Sequence, residues 1–181
     1  MNIDLIPIGR DAPEEFNAVI EVPVGGEPVK YEFDKATGAL FVDRFLQTAM
    51  RCPGNYGFIP RTLSEDGDPC DVLVLGDHPV MPGAVVAVRP IGVLRMSDEN
   101  GPDEKVVAVP ATRVTRDFER IASIDDLPVS LCERIEHYFA HYKDLEAGKW
   151  VTLGGWEGPD AARSMVRAAI DRHGASANKG S

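Results

Sequence analysis

Asp66-Gly67-Asp68-Pro69-Cys70-Asp71-Val72 crowds three carboxylates into six residues and then enters the apolar run 71–75. Carboxylates this close repel one another unless cations lie among them. Gly67 and Pro69 disfavour a helix, so the segment is expected as a turn or extended loop aiming its oxygens at a shared point. Oxygen-only ligands suit hard cations, Mg²⁺ foremost, and Mg²⁺ commonly arrives with phosphate. Alone, the segment reads equally as a solvated acidic turn.

Outward from this loop, short β-type runs dominate the first 110 residues. Residues 16–22, 29–33, 39–45, 71–75, 84–96 and 105–109 are each bounded by Gly, Pro, Asn or Asp. Closely spaced strands with turn chemistry between them predict a small antiparallel barrel. A helix is expected over 129–147, where Leu131, Ile135, Tyr138, Tyr142 and Leu145 form one apolar stripe. A second is expected over 160–173, after Gly158-Pro159 and before Gly174 as its stop. Repeats and an interdomain linker are not evident, so residues 1–174 are expected to form one domain, with 175–181 a disordered tail.

The chain has 181 residues and a net charge of −10, with 44% hydrophobic and 27% charged residues. A single domain of this size buries about 70% of its unfolded surface. The acidic balance argues against a phosphate-backbone binder but admits a small phosphate already chelated by metal. Cys52, Cys70 and Cys132 are odd in number and lack CxxC spacing, so a disulfide framework or zinc ribbon is not expected. No secretory signal pattern and no apolar run of membrane-spanning length is present, and a cytoplasmic location is expected.

Strand alternation groups the remaining polar residues. Lys30, Glu32 and Asp34 share one face of their strand, and Tyr31 and Phe33 take the other. Glu21 and Arg44 sit in strands of the same kind. Asp98 and Asp103 flank a hairpin tip, with Asp103 and Lys105 on one face. Tyr56 lies in a loop of turn residues, 53–58, and Tyr142 on the helical stripe beside Lys143. Each is an ordinary surface charge or packed tyrosine when read singly.

Two other patterns fail. Asp66, Asp68 and Asp77 take the first, third and twelfth positions of an EF-hand loop, but Cys70 and Asp71 occupy its fifth position and its glycine position. His137 and His141 are spaced as in a zinc helix, yet position 138 is tyrosine where a general-base glutamate is required. Those histidines read as a solvated helix face.

Together, the pieces resemble the soluble family I inorganic pyrophosphatases of bacterial type. DGDPCDV resembles the family's D-x-D-P-x-D core. The resemblance continues through VIEVP, KYEFDKATGALFVDRF, NYGFIP, RPIGVLRMSDE, DEKVVAVP, HYKDLEAGKW and GGWE, from about residue 14 to about residue 170. It implies an α+β, mainly β fold: a five-stranded OB-like β-barrel with two C-terminal helices packed against it. It also implies Mg²⁺-dependent hydrolysis of pyrophosphate to two orthophosphates by direct attack of a metal-activated water, with Mn²⁺ or Zn²⁺ as substitutes.

Residue by residue, the resemblance makes Asp68 the catalytic base. It makes Asp66, Asp71, Asp103, Asp98, Glu21 and Glu32 the metal-site carboxylates. Lys30, Arg44, Tyr56, Lys105, Tyr142 and Lys143 become the substrate-binding groups. A homohexamer follows from the resemblance alone. Two positions depart from the family pattern: Cys52 stands where an aromatic residue, often tyrosine, precedes the proline, and Cys70 replaces an aliphatic residue. Cys70 reads as a small buried hydrophobe or, alternatively, as a thiol open to oxidation and soft metals. Rival functions are another metal-dependent phosphohydrolase, an inactive scaffold, or a nucleic-acid-binding OB module. The last is disfavoured by the acidic charge and by an aromatic content of only 7%, and neither nucleic acid nor membrane is expected as a partner.

Overall fold

A computed structural model describes residues 2–34 and 36–177. Five strands close into a barrel: β1 (Phe16–Val22), β4 (Asn55–Phe58), β5 (Asp71–Val74), β8 (Lys105–Pro110) and β6 (Val85–Asp98). They pair in the order β1-β4-β5-β8-β6, and β6 returns to β1. β2 (Val29–Phe33) and β3 (Leu40–Phe45) form a separate hairpin, while β7 (Gly101–Pro102) and β9 (Val151–Glu157) add to the far end of β6. Two helices follow, α1 (Val129–His141) and α2 (Pro159–Ala177).

The barrel strands read as continuous apolar runs because they are buried on both faces. Along β5 and β8, Val72, Val74, Val106 and Ala108 pack with Ala162, Val166 and Ala169 of α2. The alternate residues Leu73, Leu75, Val107 and Val109 pack with Ile135, Tyr138 and Phe139 of α1. Each helix therefore seals one side of the same sheet.

The structure corrects several sequence expectations. The barrel is not wholly antiparallel, because β5 and β8 run parallel, with Val72 opposite Val106 and Val74 opposite Ala108. The 29–33 and 39–45 runs lie outside it. Their place is taken by β4, read as a loop because Asn55 and Gly57 are turn residues elsewhere. Here both have strand-specific work. Asn55 Oδ1 accepts from the Val24 and Val80 amides at 3.0 and 2.8 Å, and its Nδ2 donates to the His78 carbonyl at 3.1 Å. Gly57 lies against the backbone of β1, where a Cβ would collide with the Val19 carbonyl. β9 was hidden by Gly154-Gly155: Gly154, the extra residue of a bulged register, takes the close approach of Arg95, and Gly155 has a φ of 89°.

α1 ends at His141, six residues short of the expected boundary. The chain turns there, and Lys143 reaches Asp98 while Glu146 reaches Arg44; Leu145 is left exposed. α2 instead passes through Gly174 to Ala177, so the first three residues of the expected tail are helical. The remainder, 178–181, lies outside the described residues.

Gly57→Ala should lower the unfolding free energy by about 2–3 kcal/mol, since the added methyl meets backbone that cannot step aside. Urea unfolding followed by circular dichroism checks this; an unchanged midpoint would show that β1 and β4 can separate freely.

Candidate active site

One cavity of about 510 Å³ lies at the end of the barrel where β5 and β8 begin, and all thirteen residues singled out in the sequence line it. They come from six stretches: Glu21 from β1, Lys30, Glu32 and Arg44 from the hairpin, Tyr56 from β4, and Asp66, Asp68 and Asp71 from the acidic loop. Asp98, Asp103 and Lys105 come from the β6–β8 connection, and Tyr142 and Lys143 from beyond α1.

The parallel register of β5 and β8 makes their first residues neighbours, and those residues are Asp71 and Lys105. The Lys105 ammonium donates to Asp71 and, at 2.5 Å, to Asp103 Oδ1. Burial opposes its charge, but Asp71 and Asp103 outweigh that and hold its pKa above the ordinary lysine value. Burial also raises the Asp103 carboxyl, with Lys105 pulling the other way. Tyr56, beneath the same group, is pushed well above the ordinary phenol value by burial and then by Asp71 and Asp103. Lys105 Nζ stands 5.7 Å from its ring centroid, a cation–π distance.

Glu21 enters the cavity through a β-bulge. Ile20 pairs with Gly57 and Val22 with Tyr56, so Glu21 is the extra residue, re-aimed by the bulge. It is buried, and its Oε1 accepts from the Phe33 amide at 3.0 Å, fastening the hairpin to the barrel. Burial pushes its carboxyl up to about 8. Beyond it, Lys30 is paired with Glu32. Lys143 donates to Asp98 Oδ2 at 2.5 Å. Burial resists the loss of a proton less than Lys143 and the Asn100 amide favour it, so the Asp98 carboxyl lies below the usual range.

The acidic loop is a folded turn. Gly67 has a φ of 94°, open to glycine at little cost, and the Asp68 amide donates to Asp66 Oδ1 at 3.0 Å. Asp66 and Asp68 are exposed at the cavity wall. Cys70 is fully buried among Ile20, Ile59 and Val72, its Sγ 3.2 Å from Ser64 Oγ, and burial raises its thiol pKa. This supports the small buried hydrophobe and removes the basis for a reactive thiol. His141, the last residue of α1, pairs at 2.7 Å with Asp144 just beyond it, both exposed.

Sequence reasoning missed three charged residues. Asp43 belongs by alternation to the face opposite Arg44. A bulge overrides this: Lys30 pairs with Arg44 and Tyr31 with Val42, leaving Asp43 extra, and its Oδ2 lies 3.4 Å from Lys30 and 2.6 Å from Arg44. Glu146 takes Arg44 at 2.9 Å and Lys149 at 3.0 Å, and Lys149 also lines the cavity. Both lie in HYKDLEAGKW, and only the early end of α1 brings them to the site.

The cavity wall carries nine carboxylates against six lysines and arginines. Oxygen-only donors in such excess fit hard divalent cations, and the protein already places one cation, Lys105, between Asp71 and Asp103. Among the described residues no three acidic, histidine or cysteine side chains converge into a closed protein cage. That arrangement suits an ion that keeps much of its water and shares its shell with phosphate oxygens.

A family model described as inorganic pyrophosphatase matches residues 18–174. The chain is 58% identical over 172 residues to the inorganic pyrophosphatase of Brucella melitensis, covering 95% of this chain and 98% of that protein. It is 55% identical over 172 residues to that of Bradyrhizobium diazoefficiens, covering 95% and 97%. The crystal structure of inorganic pyrophosphatase from Thermus thermophilus superposes with a TM-score of 0.91 at 47% identity, covering 96% of this chain and 99% of that one.

Lys105→Met should cost about 3 kcal/mol of stability in EDTA at neutral pH, because it strips the cation from two facing carboxylates. Millimolar Mg²⁺ should recover part of that loss. Thermal unfolding with and without Mg²⁺ measures both, and a variant as stable as the parent in EDTA would refute the pairing's structural role.

Proposed function

The chain belongs to the inorganic pyrophosphatase family, and from that premise we propose that it catalyses Mg²⁺-dependent hydrolysis of pyrophosphate to two orthophosphates. The observation that carries the reading is the meeting of all thirteen expected residues, from six separate stretches, in one acid-rich cavity. Bound divalent cations would be held by Asp66, Asp71 and Asp103, with Asp98, Glu21 and Glu32 contributing around them. They would supply charge neutralisation and the acidification of water.

The chain's own groups account for the rest. Lys30, Arg44, Lys105 and Lys143 are cations around a small space, and Tyr56 and Tyr142 add phenolic donors; together they hold the terminal oxygens of a multiply charged, compact anion. Asp68, exposed on its turn, accepts the proton from the attacking water. Water oxygen adds to one phosphorus as the bridging P–O bond breaks in line, and Arg44 and Lys30 stabilise the departing phosphate. Bond formation to water makes a covalent enzyme intermediate unnecessary. The pairing of Arg44 with both Asp43 and Glu146 keeps its guanidinium oriented before substrate arrives.

The same reading includes a single domain over 1–174, a cytoplasmic setting supported by the free thiols of Cys52, Cys70 and Cys132, and a homohexamer. Exposed apolar side chains such as Phe45 and Leu145 support self-association, and the number six rests on the family resemblance. No helix of the structure, among the described residues, is long and apolar enough to cross a membrane.

Phosphate release from pyrophosphate with Mg²⁺, repeated with EDTA and with ATP in place of pyrophosphate, tests the function. Activity on pyrophosphate alone, abolished by EDTA, is expected; equal activity on ATP would point to a broader phosphohydrolase. Asp68→Asn should cut kcat by about 10²-fold or more at unchanged Tm, since it preserves shape and removes the base. Near-parental turnover would take the proton-accepting role away from Asp68.

A further inference from the structure

Behind the two cavity tyrosines lies a second aromatic layer. Tyr138, one helical turn before Tyr142, stacks on its ring with centroids 5.5 Å apart and planes 16° from parallel. The Tyr142 amide closes that turn on the Tyr138 carbonyl at 2.9 Å. Phe139 stands edge-on to both rings, at 5.3 and 6.1 Å, and tilts against Tyr56 at 6.3 Å. Neither Tyr138 nor Phe139 is among the described residues that line the cavity.

Tyr138 packs in the same buried cluster as Cys52, which stands just before the Pro53–Gly54 turn into β4. That cluster joins the segment that ends in Tyr142 and Lys143 to the segment that leads to Tyr56. These are three of the six groups that hold the substrate in the reading above.

We propose that Tyr138 is a positioning residue for pyrophosphate hydrolysis, its ring fixing the plane of Tyr142 and so the reach of the Tyr142 hydroxyl into the cavity. Tyr138 touches no substrate; it acts through Tyr142. The proposal rests on the assignment of this cavity as the pyrophosphate site. It extends that assignment to one residue, Tyr138, outside the cavity wall.

Initial-rate kinetics on Mg²⁺-pyrophosphate would be measured for the parent, Tyr138→Leu, Tyr138→Phe, Tyr142→Phe and the Tyr138→Leu/Tyr142→Phe pair, with Tm recorded for each. Tyr138→Leu should lower kcat/KM by about three- to tenfold, the scale of a lost aromatic contact, and Tyr138→Phe, which keeps the ring, should stay near the parent. Tyr138→Leu should add nothing in a Tyr142→Phe background. Losses that multiply in the Tyr138→Leu/Tyr142→Phe protein would overturn the proposal. So would a Tyr138→Leu enzyme with parental kinetic constants, whether or not its Tm falls, because that is what packing alone predicts. A parent that releases no phosphate from pyrophosphate would instead bring down the functional reading, and this proposal with it.

Discussion

A lysine ammonium held between two carboxylates in the floor of the cavity is the constraint on which the rest of this structure turns. Lys105 can stay charged in a buried position only because Asp71 and Asp103 face it. Asp71 can face it only because β5 and β8 run parallel and begin at the same end of the barrel. An antiparallel pairing would put Asp71 at the opposite end of the sheet from Lys105. The parallel pair, sealed on its two faces by α1 and α2, thus sets the polarity of the molecule and decides where charge collects. Tyr56, beneath the ammonium, and Lys143, bound to Asp98, extend the same network toward the rim.

The remaining site residues hang from this floor by devices that break strand regularity. The bulge at Glu21 turns one carboxylate inward and pins the β2–β3 hairpin through the Phe33 amide. The bulge at Asp43 lets one carboxylate serve both Lys30 and Arg44. The early end of α1 frees Lys143 to enter the cavity and Glu146 to reach Arg44. In each case a small loss of backbone pairing is exchanged for a charge placed beside its opposite. The acidic loop behaves differently: it folds on its own Asx-type turn and presents Asp66 and Asp68 outward, where water and ions reach them.

These contrasts explain what could be read in the chain beforehand. The crowded aspartates, the strand runs 16–22 and 29–33 and the apolar stripe of α1 are local patterns, and they were legible. So was the membership of the thirteen cavity residues, though only through the family resemblance; alternation alone left Glu21, Lys30 and Arg44 as ordinary surface charges. Long-range choices were not legible. Whether β5 runs with or against β8, and whether Asn55 and Gly57 make a turn or a strand, depends on partners distant in sequence. Asp43 was missed because a bulge reverses the side that alternation assigns, and Glu146 because a helix was extended past the point where ion pairing ends it. Cys70 illustrates the converse: its reactivity looked open in the sequence and is closed by its place in the core.

The central claim is that the acid excess around Lys105 is a cation site of defined place. Anomalous diffraction from crystals grown with Mn²⁺ tests it most directly. The account predicts peaks inside the cavity, against the carboxylates of Asp66, Asp71 and Asp103, with Lys105 still seated between Asp71 and Asp103. Well-occupied Mn²⁺ elsewhere on the protein and none at those carboxylates would contradict it.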